Sequence, residues 1–108
     1  MLKMNYEFRK GVLFIRLYGS LDHKNIKKIS TNIADLIAEF GLKYIVFNLD
    51  DLSYIDKEGV NFILKYHNII NNQNGKLIIC DKNDQFSRLN HNKLIPNITY
   101  EIDAFHLI

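Results

Sequence analysis

Tyr44-Ile45-Val46-Phe47-Asn48-Leu49, and the turn Asp56-Lys57-Glu58-Gly59 that follows it, decide the fold. The first stretch is a continuous apolar run, which a buried central strand explains best. In the second, Asp56 can accept hydrogen bonds from the exposed N–H groups of a helix start. Glu58 then falls in the first helical turn, where the helix dipole favours negative charge. A buried strand feeding a capped helix is one unit of a layered α/β fold.

Working outward, residues 6–9 and 12–18 read as strands around a Lys10-Gly11 turn, a hairpin signal. Leu13, Ile15 and Leu17 fall on one face of the second strand; Val12, Phe14 and Tyr18 fall on the other. Both faces are therefore expected to be covered. Gly19-Ser20-Leu21-Asp22 breaks the alternation. Over residues 25–40, Ile26, Ile29, Ile33, Leu36, Ile37 and Phe40 recur with the spacing of a one-faced amphipathic helix. Gly41 follows where a helix C-terminus favours glycine.

Downstream, a second helix is expected over residues 59–71, and Asn74-Gly75 turns the chain into a strand over 76–80. A shorter helix near 85–93 and a strand near 97–102 complete the pattern. Strand pairs alternating with helices give an α/β fold, a mixed sheet of about four to five strands covered by about three to four helices. Connections between its parallel neighbours are expected to be right-handed.

The 108 residues fit one domain spanning 1–108, and the 47% hydrophobic share suffices for a core. The net charge is +2 with acids and bases interspersed, which is no footprint for direct nucleic-acid binding. Cys80 is the single cysteine, so no intrachain disulfide can form. Following Leu77-Ile78-Ile79, it reads as a small buried apolar side chain rather than a reactive thiol. No apolar run approaches a membrane span and the first residues lack the apolar core of a signal peptide, so a cytoplasmic location is expected. His23, His67, His91 and His106 show no metal-ligand spacing. There is no Gly-rich phosphate loop and no nucleophile–base pair, so neither catalytic residues nor cofactors are expected. Asp50, Asp51 and Asp56 read as solvated loop acids more readily than as a cation site.

At 3.6 residues per turn, Val60, Ile63, Leu64, His67 and Ile70 share one face of the second helix, the expected core stripe. Phe62 and Ile69 point nearly opposite, with Tyr66 on the flank and Glu58 on the same outer side. The second helix is thus expected to carry an outer apolar patch headed by a charged turn, a candidate protein-docking surface. For Asp56, capping and partner binding are both open readings.

Gly19-Ser20-Leu21-Asp22-His23, the run from Ile45 through Asp56, Gly59-Val60, and Gly75-Lys76-Leu77-Ile78-Ile79-Cys80 together resemble the STAS domain, and within it the anti-sigma-factor antagonists of sporulating bacteria. The resemblance covers nearly the whole chain and rests on the order and spacing of these segments. It implies a sheet covered by helices, no catalysis, and partner switching: the antagonist binds a GHKL-type, ATP-binding anti-sigma factor that is also a serine kinase, and so frees a sigma factor. Together with the outer face of the second helix, it gives Ser20, Asp22, His23, Ser53, Asp56, Lys57, Glu58, Gly59, Phe62, Tyr66 and Ile69 as the expected partner-binding residues.

One departure matters. The family's Asp-Ser-Ser-Gly is here Asp56-Lys57-Glu58-Gly59, so the phosphoacceptor position holds Glu58, which has no hydroxyl. Phosphoserine carries about −1.5 to −2 charge and three acceptor oxygens. Glutamate could mimic a phosphorylated, non-binding state or support constitutive binding, and charge alone does not choose. Residues 103–108 leave little room for the family's last helix. The alternative is a STAS scaffold or assembly subunit of a stress-sensing or transport complex; a weak homodimer is compatible with either reading.

Overall fold

The structure is a computed structural model that describes residues 1–91 and 93–108. β1 (Leu2–Arg9) and β2 (Val12–Leu21) form an antiparallel hairpin closed by Lys10 and Gly11, both at positive φ. α1 (Lys27–Phe40) ends at Gly41, whose left-handed backbone (φ 56°, ψ 45°) turns its N–H onto the Ile37 carbonyl. There follow β3 (Tyr44–Ile55), α2 (Lys57–Asn72), β4 (Lys76–Cys80), α3 (Gln85–Leu89), β5 (Asn97–Ile98) and a 3-10 helix (Glu101–His106). The strands lie in chain order in one mixed sheet, with β1 antiparallel to β2 and every later pairing parallel.

Strand alternation sorts the side chains into two layers. Leu13, Ile15 and Leu17 of β2 and Ile45, Phe47 and Leu49 of β3 share the main core with Ile29 and Ile33 of α1, Ile63 and Ile70 of α2, and Phe86 of α3. Val12, Phe14, Val46, Ile78 and Cys80 point the other way and meet Ala104 and Phe105 of the 3-10 helix. Both faces of β2 are covered, as its two apolar sets required.

A half-buried ion cluster fastens the 3-10 helix to the sheet. Arg16 donates from Nε and Nη2 to the two Glu101 oxygens (2.9 and 2.7 Å) and from Nη2 to Glu7 (2.9 Å). Asn48 Nδ2 also donates to Glu101 at 2.9 Å. The Arg16 hydrogen bond outweighs burial and holds the Glu101 carboxyl below the usual range.

Several expectations are corrected. β1 starts at Leu2, and β2 continues through the Gly19–Leu21 segment read as a break. β3 runs to Ile55, so Asp50 and Asp51 lie on a strand rather than a loop. Register shifts against β2 accommodate the extra β3 residues, pairing Tyr18 with Asp51 and Leu21 with Ile55. The strand expected over 97–102 stops at Ile98, and the 3-10 helix takes its place. α3 ends at Leu89; position 92 of the helix expected there lies outside the described residues.

The largest correction concerns α2. Phe62 and Tyr66 are core residues, 6% and 4% exposed. Their rings meet edge-on at 5.0 Å, and each lies 6.4 Å from the Phe47 ring. The Tyr66 hydroxyl donates to the Ser30 carbonyl of α1 at 3.3 Å. Leu64 and His67, expected at the centre of the stripe, are only half-buried. α2 lies against both the sheet and α1, which rotates its buried arc by roughly 60° from the one expected. The outer apolar patch therefore does not form. Ile69 is half-buried in a groove beside Ile37 and Ala38 of α1.

Candidate functional site

The carboxyl ends of β2 and β3 meet the start of α2, and Asp56 ties the three together. Its backbone is extended (φ −109°, ψ −177°), and its Oδ1 accepts the Gly59 N–H at 2.9 Å. This is the expected helix cap. Its Oδ2 accepts the His23 N–H at 3.1 Å and lies 3.0 Å from His23 Nδ1. With the proton on Nδ1 the ring is a second donor to the same oxygen. The Asp56 N–H donates in turn to the Leu21 carbonyl at 3.3 Å. Burial raises the Asp56 carboxyl, but the His23 side chain and the Gly59 and His23 backbone donors together hold it below its usual range.

The neighbouring loop is ordered by similar means. Asp22 Oδ1 accepts the N–H groups of Lys24 and Asn25, each at 3.0 Å. Asn25 Nδ2 reaches back to the Ser20 carbonyl at 3.4 Å. Ser53 Oγ donates to the Gly19 carbonyl at 3.1 Å, pinning β3 to β2. Gly59 is a requirement of close approach: a Cβ there would run into the Leu21 carbonyl oxygen and the Ile55 side chain. Lys57 and Glu58, between these fixed points, are exposed.

Ser20, Asp22, His23, Ser53, Asp56, Lys57, Glu58 and Gly59 are thus brought to one end of the sheet. Phe62 and Tyr66 are not available as surface contacts because they are buried against Phe47, and Ile69 lies two turns or more along α2 from the turn.

Sequence reasoning missed part of this surface. Tyr54 and Leu89, 54% and 51% exposed, line a shallow groove with Ser53, Ile55 and Arg88 beside the turn. α3 is fixed there because Asp50 Oδ1 accepts the Lys82 N–H (2.9 Å) and Gln85 Nε2 donates to the Leu52 carbonyl (2.7 Å). Asp81, 1% exposed, accepts the Gln85 and Phe86 N–H groups at 3.0 Å each, and burial pushes its carboxyl up. The available signal was the Leu49, Leu52, Ile55 spacing: buried residues three apart, not two, mark a strand whose register slips and whose intervening side chains turn outward.

Chemically the site offers charge and hydrogen bonds. Among the described residues no group of three or more His, Cys, Asp or Glu is placed to hold a metal ion, and no helix is long and apolar enough to cross a membrane. The Cys80 thiol, buried in the second cluster, is pushed up to about 12 by burial and then by Asp50, which suppresses its thiolate.

An α/β module presenting an ordered, charged strand-to-helix turn is the class of protein that this fold and site define. Residues 3–98 match the STAS domain family. The chain is 32% identical over 88 residues to an anti-sigma F factor antagonist of Paenibacillus polymyxa, covering 82% of this chain and 75% of that one. An anti-sigma F factor antagonist of Lysinibacillus sphaericus is 38% identical over 55 residues, 51% of this chain and 47% of that one, so the match spans about half of that relative. Among solved structures, the anti-sigma factor antagonist SpoIIAA in its unphosphorylated form aligns with a TM-score of 0.79 at 21% identity, over 97% of this chain and 96% of that one. The Bacillus cell fate determinant SpoIIAA in its phosphorylated form aligns at 0.69 with 25% identity, over 98% and 100%. The chain belongs to the STAS domain family, among its non-catalytic anti-sigma factor antagonists.

Proposed function

We propose that this chain binds an anti-sigma factor of the GHKL ATP-binding, serine-kinase class through the surface around Lys57 and Glu58, and that it does so without a phosphorylation switch at that position. The role belongs to transcription control in the bacterial cytoplasm. The observation that carries the reading is the turn itself: its backbone is fixed at Asp56 and Gly59, while the side chain between them at position 58 is an exposed carboxylate with no hydroxyl to modify. Asp22, His23 and Asp56 hold the surface in place. Ser20, Ser53, Lys57 and Glu58 border the region a partner would cover.

A single carboxylate carries less charge than phosphoserine, about −1 against −1.5 to −2, and fewer acceptor oxygens. Charge alone does not decide the sign; the constitutive reading rests on the turn, which keeps its fixed ends at Asp56 and Gly59 while position 58 has lost the hydroxyl.

The test uses the cognate kinase and ATP, with intact mass and binding affinity as readouts. The wild type gains no phosphate and binds as tightly as unphosphorylated Glu58→Ser. Glu58→Ser gains one phosphate and then releases the partner. Phosphate on the wild type, at Ser53 or elsewhere, would refute the switchless reading. Binding by Glu58→Ser but not by the wild type would make Glu58 a mimic of the off state.

A further inference from the structure

β1 is an eight-residue strand at the open edge of the sheet, carrying Leu2, Lys3, Met4, Asn5, Tyr6, Glu7, Phe8 and Arg9. Its hydrogen-bonding parity is fixed by two facts. The Ser20 N–H donates to the Met1 carbonyl at 2.8 Å, and Lys10-Gly11 is a two-residue turn joining the paired Arg9 and Val12. In an antiparallel ladder, bonded and non-bonded pairs alternate. Lys3, Asn5, Glu7 and Arg9 therefore turn their backbone groups toward β2. Leu2, Met4, Tyr6 and Phe8 turn theirs out to the free edge. Such an edge is a template for another strand.

We infer that this edge pairs with the β1 edge of a second copy of the chain, antiparallel about a two-fold axis through Asn5. In that register Met4 faces the second copy's Tyr6, and Leu2 its Phe8, as outward-facing bonded pairs. Lys3 faces the second copy's Glu7 twice over, in the non-bonded positions where side chains approach most closely. Shifting the axis to Tyr6 would set Lys3 against Arg9; shifting it to Met4 would shorten the ladder and leave Lys3 against Asn5. The charge pattern of the edge thus selects one register.

Other features of the edge agree. Tyr6 and Phe8 are 49% and 45% exposed, and Phe8 stacks on the exposed Phe40 at 5.1 Å between ring centroids. Glu7, although bonded to Arg16, keeps 41% of its side chain exposed, and Lys3 has no ion-pair partner among the described residues. The groove between β1 and α1 is bordered by Asp35 and Glu39, which the axis brings toward their own copies. That repulsion makes the pairing reversible.

The experiment is sedimentation equilibrium of the full chain up to roughly millimolar concentration, the weak end of specific association. The wild type is expected to dimerise with concentration. Lys3→Glu alone and Glu7→Lys alone each replace two attractive pairs by two repulsive ones and weaken self-association roughly tenfold or more. Mixing the two variants restores opposite charges at every contact and recovers a heterodimer at wild-type affinity. Tyr6→Pro removes an outward-facing N–H without touching the β1–β2 ladder, and leaves a folded monomer by circular dichroism. A wild type that stays monomeric throughout overturns the inference. So does a dimer indifferent to Tyr6→Pro, or a mixture that associates no better than its parts.

Discussion

Asp56 commits one carboxylate oxygen to the start of α2 and the other to His23 in the β2–α1 loop. Its pH dependence follows from that double role. The folded carboxyl lies below its usual value, so its contribution to stability is present in full above the unfolded pKa of about 3.9 and is lost as pH falls through the folded value. Urea unfolding between about pH 5 and pH 2 should show this loss in the wild type, and a shallower one in Asp56→Asn. In His23→Ala the Asp56 carboxyl loses its side-chain donor and should titrate closer to an ordinary aspartate, as followed by carboxyl-carbon NMR. An unchanged titration would mean that His23 does not hold this oxygen in solution. The capping half of the role was legible in the sequence, because an Asp three residues before Gly59 at a helix start has local meaning. The His23 half was not: it depends on two loops distant in sequence meeting across the sheet end.

The elements β1 to β4 and both long helices were readable because their apolar periods are strong and their ends carry glycine or a cap. The orientation of α2 was not. A helical wheel finds a stripe but not which neighbours surround it, and here Phe47 of β3 takes up Phe62 and Tyr66, with Ser30 of α1 receiving the Tyr66 hydroxyl. Phe62→Ala should consequently cost about 3–5 kcal/mol in denaturant unfolding, the cost of emptying a core aromatic site rather than trimming a surface. A change below about 1 kcal/mol would restore the outer-face reading. The 3-10 helix was equally hidden, since its attachment is a side-chain cluster centred on Arg16 and Glu101, 85 residues apart. Glu101→Gln keeps the shape but weakens the charge-assisted bonds, with an expected loss of about 2 kcal/mol. Faster hydrogen exchange confined to residues 101–106 would place that loss in the 3-10 helix.

At the scale of the whole molecule, the sheet is sealed by α1, α2 and α3 on one face and by the 3-10 helix on part of the other. Cys80 sits beneath that second cover at 1% exposure. It offers a built-in probe: a thiol reagent should label it only when the cover or the sheet opens. If the labelling free energy equals the global value from denaturant, the second layer opens only with the whole fold; a smaller value identifies local release of the 3-10 helix.

The fixed ends of the 56–59 turn carry a further consequence. Asp56 and Gly59 are locked by hydrogen bonds and by space, whereas the two residues between them contribute little to folding. Exposed substitutions of that kind usually change stability by no more than about 0.5 kcal/mol. Mutational drift can therefore rewrite positions 57 and 58 freely, and partner choice in a lineage carrying this scaffold can diverge quickly while its thermal tolerance stays constant.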